Sequence, residues 1–266
     1  MITIKNHINY RKMTNVNEYI NLTKALLNRI GTTTFYIQEQ DFVSSVTVPF
    51  FKQIAQIASD TLLLIEKNSF YNACLLSTSI VESIIQLTWL DVDIKKRSQN
   101  YLAFGLIEDL PRIENHPEEY EDTLECLKII EAEKFLKKNP ADKNPLNRKN
   151  YINHWYNIDG ASGFEAMVKK LNQPYINKVY EMYSILCGFK HFQPFNIVRL
   201  FDIKEKKLFE NEGQKFIASQ ITLYSLIEAV NIINKYQDNK IEFLDIMART
   251  TELMKNDLRF PLTPNR

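Results

Sequence analysis

Apolar residues recur every three or four positions through most of the chain, which is the period of an α-helix with one buried face. Helices are predicted at about 15–30, 49–67, 70–90, 95–109, 117–137, 162–171, 175–190, 214–236 and 241–256. Pro49 and Pro117 lie where the first turn of a helix favours proline, and Gly31 ends the first helix. The pattern therefore predicts an all-α protein.

Two consecutive helices are predicted at the centre of the fold. The second of them, ending near Leu90, is apolar nearly all round, as a central helix should be. Only Asn68 and Ser69 interrupt the pattern between them, so we expect an antiparallel pair. Further along the chain, apolar and charged residues alternate between 195 and 209. This alternation predicts a short β-hairpin or an irregular crossover.

The predicted organisation is a single-domain helical bundle. Residues 1–48 are interpreted as an N-terminal helical extension, 49–240 as the bundle and 241–266 as a C-terminal helix and tail. The chain has only 6 Gly in 266 residues, which argues against Gly-rich phosphate loops. Its 33 basic and 32 acidic residues give a formal charge of +1, so the composition does not predict a general polyanion binder.

No metal, cofactor or disulfide framework is predicted. The three cysteines are far apart with no C-x-x-C pair, and the four histidines form no H-x-x-x-H arrangement. No apolar segment of a secretory signal follows Lys5, and the long apolar run 73–90 contains too many polar residues for a membrane span. We therefore expect a cytoplasmic protein with no membrane partner.

The strongest candidate for chemistry is the segment 180–191. On a helix, Tyr180, Ser184, Cys187 and His191 lie at i, i+4, i+7 and i+11, which places them on one face. His191 follows Lys190, and because histidine as a residue type ordinarily changes charge near neutral pH, His191 suits a general acid or base. A histidine at a helix C-terminus also acts simply as a dipole-stabilising residue, and both interpretations stay open.

A second candidate is the carboxylate of Glu82. It belongs to a narrow polar stripe on the central apolar helix, which consists of Thr78, Ser79, Glu82 and Gln86. A buried carboxylate needs a partner, and the candidates are a Lys or Arg, His191 or a tyrosine hydroxyl. The stripe is either a structural network between core helices or one wall of a polar pocket that faces Ser184 and His191.

A basic stretch follows the fifth predicted helix. Its cations, interleaved with asparagines, are Lys137, Lys138, Lys143, Arg148 and Lys149. Because Tyr151, Trp155 and Tyr156 follow, the stretch suits single-stranded RNA, although a solvated loop has the same composition. Trp155 is interpreted as an anchor that packs this segment onto the bundle.

The order of these motifs over residues 50–235 is similar to an all-helical bacterial family that in turn resembles HEPN domains. The motifs are Glu82 and Trp89, then Trp155, Gly160 and Met167, then Tyr180, Tyr183, Ser184 and His191. The resemblance implies a helical bundle, often dimeric, of a kind common in toxins and phage-defence systems. Many such domains are metal-independent ribonucleases.

The resemblance also assigns roles to individual residues. In active HEPN ribonucleases an Arg precedes a His on one helix, and an acidic residue on another helix positions the Arg. His191 matches the His and Glu82 matches the acidic position, whereas residues 184–186 occupy the window of the Arg. The expected catalytic residues are thus His191, Glu82 and Lys190, and the expected binding residues are Ser184, Tyr180, Tyr183 and Arg199.

Two hypotheses for function follow. The first is a cytoplasmic HEPN-like effector, a dimer that cleaves RNA with His191 as acid and base. The second is a non-catalytic helical module that binds a protein, a nucleotide or a nucleic acid. In the second hypothesis, Glu82 and His191 belong to a structural network.

Overall fold

The computed structural model describes residues 15–113, 115–190, 201–202, 207–208 and 212–257. These ranges are predominantly α-helical, which confirms the all-α prediction. The helices are α1 (Val16–Gly31), α2 (Phe42–Glu66), α3 (Phe70–Asp91), α4 (Ile94–Ile113), α5 (Tyr120–Ile129), α6 (Phe164–Leu171), α7 (Pro174–Lys190), α8 (Glu212–Tyr236) and α9 (Leu244–Asp257). Short 3₁₀ helices cover Pro117–Glu119, Ala132–Phe135, Arg148–Asn150 and Trp155–Asp159.

Two very short strands lie between α7 and α8. Strand β1 (Phe201–Asp202) pairs antiparallel with β2 (Lys207–Leu208), with Phe201 opposite Leu208. Most of the stretch 195–209 lies outside the described residues. The hairpin or crossover expected there stays a prediction.

Three helices, α2, α3 and α8, form the centre of the fold. Helix α3 packs most extensively against α8 and α2, and α2 also packs against α8. Most residues of α3 are buried, as its all-round apolar pattern predicts. Around this centre, α7 packs on α3, α1 on α8 and α4 on α2. The apolar residues of these helices therefore share one core.

The start of α2 differs from the prediction. The Asp41 carboxylate accepts hydrogen bonds from the backbone amides of Val43 (3.1 Å) and Ser44 (2.9 Å), so the helix begins at Phe42. It then continues through Pro49, which was expected at its first turn. Proline inside a helix costs one backbone hydrogen bond, and the strong cap together with the buried face of α2 outweighs that loss. Residue 48, the predicted end of the N-terminal extension, lies inside α2.

The connection between α2 and α3 follows the prediction. Asn68 adopts a left-handed backbone with φ 56°, a conformation that asparagine tolerates better than most residues. The amide of Ser69 donates to the carbonyl of Leu64 at 2.8 Å, which closes the end of α2. The chain therefore reverses within three residues, and α2 and α3 pack against each other as a helical hairpin.

A charged cluster lies where α3 ends beside α8. The Asp91 carboxylate accepts from Lys235 Nζ at 2.6 Å and from the Tyr236 hydroxyl at 2.7 Å. Nearby, Glu228 accepts from the Asn231 side-chain amide at 3.3 Å. Burial, assisted by the charge of Asp91, raises the pKa of Glu228 above its usual value.

Glu228→Gln is expected to raise the melting temperature at about pH 8 and to leave it nearly unchanged at about pH 4. The folded protein keeps the Glu228 proton to a higher pH than the unfolded chain, because the folded pKa is raised. The stability that protonated Glu228 contributes is therefore lost as the pH rises through its pKa in the folded protein. A glutamine side chain stays neutral at every pH, so the variant does not suffer this loss. Thermal denaturation at both pH values measures the difference. The matched control is Glu125→Gln on the exposed face of α5, and an equal shift there would contradict the prediction.

Candidate functional site

The α3–α7 interface brings Glu82 and Tyr183 together. The Tyr183 hydroxyl donates a hydrogen bond to Glu82 Oε1 at 2.8 Å, across the contact between the two helices. Both side chains are half-buried, and Glu82 takes part in a further interaction beyond this bond. A tyrosine hydroxyl was one of the three kinds of partner expected for this carboxylate. The interface therefore holds a carboxylate of α3 against the helix that ends at Lys190.

The phenol groups near Glu82 stay neutral. Burial, together with hydrogen bonds to Cys187 and Glu82, raises the pKa of Tyr183 far above its usual value. Burial and the Glu82 charge also raise the pKa of Tyr156. Both hydroxyls consequently keep their protons at physiological pH, and Tyr183 acts as a hydrogen-bond donor to the carboxylate.

The polar stripe on α3 divides between two kinds of partner. Gln86, one turn after Glu82, accepts a hydrogen bond from the Trp155 indole at 3.3 Å. Trp155 is buried at 5% exposure, which confirms its expected role as an anchor. Thr78, by contrast, donates to the carbonyl of Leu75 on its own helix at 2.7 Å. Gln86 of the stripe thus connects α3 to the segment that carries Trp155, whereas the hydroxyl of Thr78 bonds to the backbone of its own helix.

The expected binding residues on α7 do not all share one environment. The rings of Tyr180 and Tyr183 stack with centroids 5.7 Å apart and planes 26° apart. Ser184 is exposed, and its hydroxyl donates to the carbonyl of Glu181 at 2.7 Å. The structure therefore brings Tyr180, Tyr183 and Glu82 together, and it turns the Ser184 hydroxyl to its own helix backbone.

The other expected site residues are not described. His191 and Arg199 lie outside the described residues, and Lys190 is the last residue of α7, with its side chain also outside them. Their roles in the site stay predictions. The described part of the site consists of Glu82, Tyr180, Tyr183 and the surface next to them.

A cleft of about 510 Å³ lies beside the tyrosine stack, between the start of α6 and the face of α7. Its lining comprises Ser162, Gly163, Phe164, Glu165, Ala166, Lys169, Tyr180 and Tyr183. The Phe164 ring meets the Tyr183 ring edge-on at 6.3 Å. Because Tyr183 lines the cleft and bonds to Glu82, the cleft and the carboxylate belong to one site.

A left-handed turn directs the chain into the cleft wall. Gly160 ends the 3₁₀ helix that carries Trp155, with φ 74°, and α6 begins at Phe164. Glycine suits this position by its left-handed conformation, whereas the atom nearest to an added Cβ, Lys170 Nζ at 3.0 Å, is the end of a flexible side chain that can move away. The sequence pattern predicted the helix 162–171 without assigning a role to its residues. The sequence feature that could have indicated this cleft wall is the glycine ahead of an amphipathic helix.

The basic stretch is an ordered loop, and two of its cations are used within it. Lys137 Nζ donates to the carbonyl of Lys149 at 2.9 Å. The Arg148 guanidinium donates to the carbonyls of Ile152 (2.9 Å) and Asn153 (3.1 Å). These bonds orient the two side chains but leave their positive charges in place, so the suitability of the loop for RNA stays a prediction.

One group of potential metal ligands occurs within the described ranges. Ligand atoms of His116, Glu118 and Glu119 lie within 4.8 Å of one another near the start of α5. Arg112, however, donates to both carboxylate oxygens of Glu119, at 3.1 and 2.9 Å. A cation would have to displace this guanidinium, so the arrangement fits an ion-pair network better than a metal site.

Two helices of the described chain, α3 and the Gly213–Tyr236 part of α8, are long and apolar enough to cross a membrane. Most of each is buried inside the protein. Core helices of soluble proteins meet the same criterion, so this is weak evidence for a membrane span.

Comparison with known proteins does not identify the chain. No protein-family model, no curated protein and no solved structure matches it. The similarity to HEPN domains therefore stays a prediction from the order of motifs. Function has to be argued from the site itself.

Proposed function

We propose that this protein is a cytoplasmic HEPN-like effector that cleaves RNA without a metal ion, in a toxin or phage-defence setting. The observation that carries the proposal is the hydrogen bond between Tyr183 and Glu82, 2.8 Å long. It holds an acidic residue of one central helix against a second helix that runs to Lys190, directly before His191. The family resemblance expects an acidic helix beside a histidine-bearing helix, and the contact between α3 and α7 supports that expectation if His191 continues α7.

The proposed reaction needs an acid–base group and a cation. His191 takes the proton of a ribose 2′-hydroxyl, whose oxygen attacks the adjacent phosphorus. The bond from phosphorus to the 5′-oxygen breaks, the protonated His191 gives its proton to that oxygen, and the products are a 2′,3′-cyclic phosphate and a 5′-hydroxyl. Lys190, Arg199 or a second copy of the chain supplies the positive charge that stabilises the phosphate in the transition state. The family resemblance assigns Glu82 to the positioning of that cation.

The test is incubation of the purified protein with defined RNA strands in the presence of a chelator. His191→Ala is expected to lower the cleavage rate by about 10²–10⁴-fold while the melting temperature stays unchanged. Glu82→Gln, which removes the charge and keeps the shape, is expected to lower it as well. His116→Ala, at an exposed histidine near α5, is the matched control and should cleave normally.

Three results would contradict this proposal. They are the absence of cleavage by the unaltered protein, cleavage that the chelator stops, and full activity of His191→Ala. Analysis of the product ends adds a chemical criterion, because attack by a metal-activated water, unlike attack by the ribose 2′-oxygen, leaves no 2′,3′-cyclic phosphate. Size measurement in solution tests the accompanying expectation of a homodimer.

A non-catalytic RNA- or nucleotide-binding module is the second candidate. The observation that favours it is the cleft of about 510 Å³ beside the stacked tyrosines, which offers a binding surface with or without a reaction. RNA binding by the unaltered protein without any cleavage would select this candidate. A protein partner in place of RNA would be indicated if neither binding nor cleavage occurs.

A further inference from the structure

We infer that the cleft between α6 and α7 binds an unpaired base of single-stranded RNA, with the Tyr180 ring as its stacking platform. The inference rests on the proposed RNA-directed function and names the part of the substrate that this cleft recognises. It needs neither His191 nor cleavage, since it concerns binding alone.

The tyrosine stack is held in place from behind. Tyr183 bonds to Glu82 through its hydroxyl and meets Phe164 edge-on, so its ring is fixed by two neighbouring elements. Tyr180 stacks on this fixed ring with planes 26° apart. Tyr180 is only half-buried and lines the cleft, so a flat ring that enters the cleft extends the stack. Proteins that bind single strands hold successive bases in this way.

The size of the cleft suits one nucleotide. Its volume of about 510 Å³ falls in the range of about 300–1,000 Å³ that small-molecule sites occupy. The lining of the cleft combines aromatic rings with a few polar groups. A purely apolar groove would lack these polar groups. A duplex does not fit such a cleft, because its bases are already stacked and paired.

Polar groups around the cleft match the rest of a nucleotide. Lys169 forms an ion pair with Glu165 at 2.6 Å, and both side chains are highly exposed, at 74% and 65%. Exposed pairs of this kind are weak, so Lys169 can exchange the carboxylate for a phosphate. Glu165 is then free to accept hydrogen bonds from the N–H groups of a base edge. The Tyr180 hydroxyl makes no hydrogen bond within the described residues and remains available to the ligand.

The test is fluorescence anisotropy with a 2′-O-methyl RNA strand, whose blocked 2′-oxygens prevent cleavage. Tyr180→Ala is expected to weaken binding about ten-fold, whereas Tyr180→Phe, which keeps the ring, should bind within about two-fold of the unaltered protein. Tyr36→Ala, at a tyrosine that is 60% exposed and lies outside the cleft, is the matched control and should bind normally. Lys169→Gln should reduce the salt dependence of binding, by roughly 0.7 in the logarithmic slope.

A second strand that carries abasic sites separates stacking from charge. The unaltered protein should bind it about ten-fold more weakly than the complete strand, and this comparison does not depend on the folding of any variant. Equal binding of complete and abasic strands, or normal binding by Tyr180→Ala, would overturn the inference and leave RNA cleavage standing. If the unaltered protein neither binds nor cleaves RNA, the proposed function and this inference both fail.

Discussion

Asp159→Ala is expected to destabilise the folded protein by about 3–5 kcal/mol, because it leaves a mostly buried guanidinium without its counter-ion. Arg97 and Asp159 form an ion pair at 3.0 Å with side chains only 11% and 14% exposed. Arg97 also donates to the carbonyl of Trp89, and its guanidinium lies 3.9 Å from the centre of the Trp89 ring. The arginine therefore cannot turn to water without breaking these contacts as well. Urea denaturation measures the loss.

Two further variants test the cause of that loss. Lys96 lies 3.8 Å from the same carboxylate but is 63% exposed, so Lys96→Ala should change the stability by no more than about 0.5 kcal/mol. The double change Arg97→Met with Asp159→Leu removes both charges and should recover much of the stability. A loss below about 1 kcal/mol in Asp159→Ala would mean that water reaches Arg97.

Asn150→Ala is expected to cost about 2–4 kcal/mol, because one buried side chain holds the basic loop together. Asn150 is 2% exposed, and its side-chain oxygen accepts from the amides of Ala141 (2.7 Å) and Asp142 (3.2 Å). Its side-chain amide donates to the Asp142 carboxylate (2.9 Å) and to the carbonyl of Asn144 (2.7 Å). Alanine removes all of these bonds: the amides of Ala141 and Asp142 lose this acceptor, whereas the Asp142 carboxylate still accepts from Asn144 and Asn147. Thermal and urea denaturation, together with proteolysis of the loop, measure the effect.

The neighbouring asparagines supply the control. Asn153 is exposed, so Asn153→Ala should have nearly wild-type stability. Asn150→Asp keeps the size but places a second carboxylate against Asp142, and it should be as damaging as alanine. If Asn150→Ala melts like the unaltered protein, the loop contributes nothing to the cooperative unit.

The sequence was most informative where a pattern is local. The break at Asn68, the burial of α3 and the extent of α8 all follow from periodicity and turn chemistry. The predicted start of α2 is wrong because Pro49 is a favourable first-turn residue, whereas the capping residue, Asp41, lies eight residues before Pro49. The helix predicted at 117–137 ends at Ile129, since Glu131 adopts a left-handed backbone with φ 53°.

The site was predictable only in part. The cost of burying a carboxylate indicated that Glu82 needs a partner, but helical spacing did not single out Tyr183, which lies 101 residues away along the chain. Spacing also grouped Ser184 with Tyr180, although the hydroxyl of Ser184 bonds to its own helix. Glu165 and Lys169 line the cleft only because α6 packs beside α7. Sequence periodicity describes one helix at a time, so it does not predict this contact.

The packing of α3 against α8 has a consequence for synthesis of the protein. Helix α3 ends at Asp91 and α8 begins at Glu212, so about 120 residues must be added after α3 before synthesis of α8 begins. At translation rates of about 5–20 residues per second, this takes roughly 6–24 seconds. During that interval α2 covers one part of α3, and the face of α3 that α8 buries is left uncovered. We therefore expect the nascent chain to depend on chaperones that shield α3 until α8 leaves the ribosome.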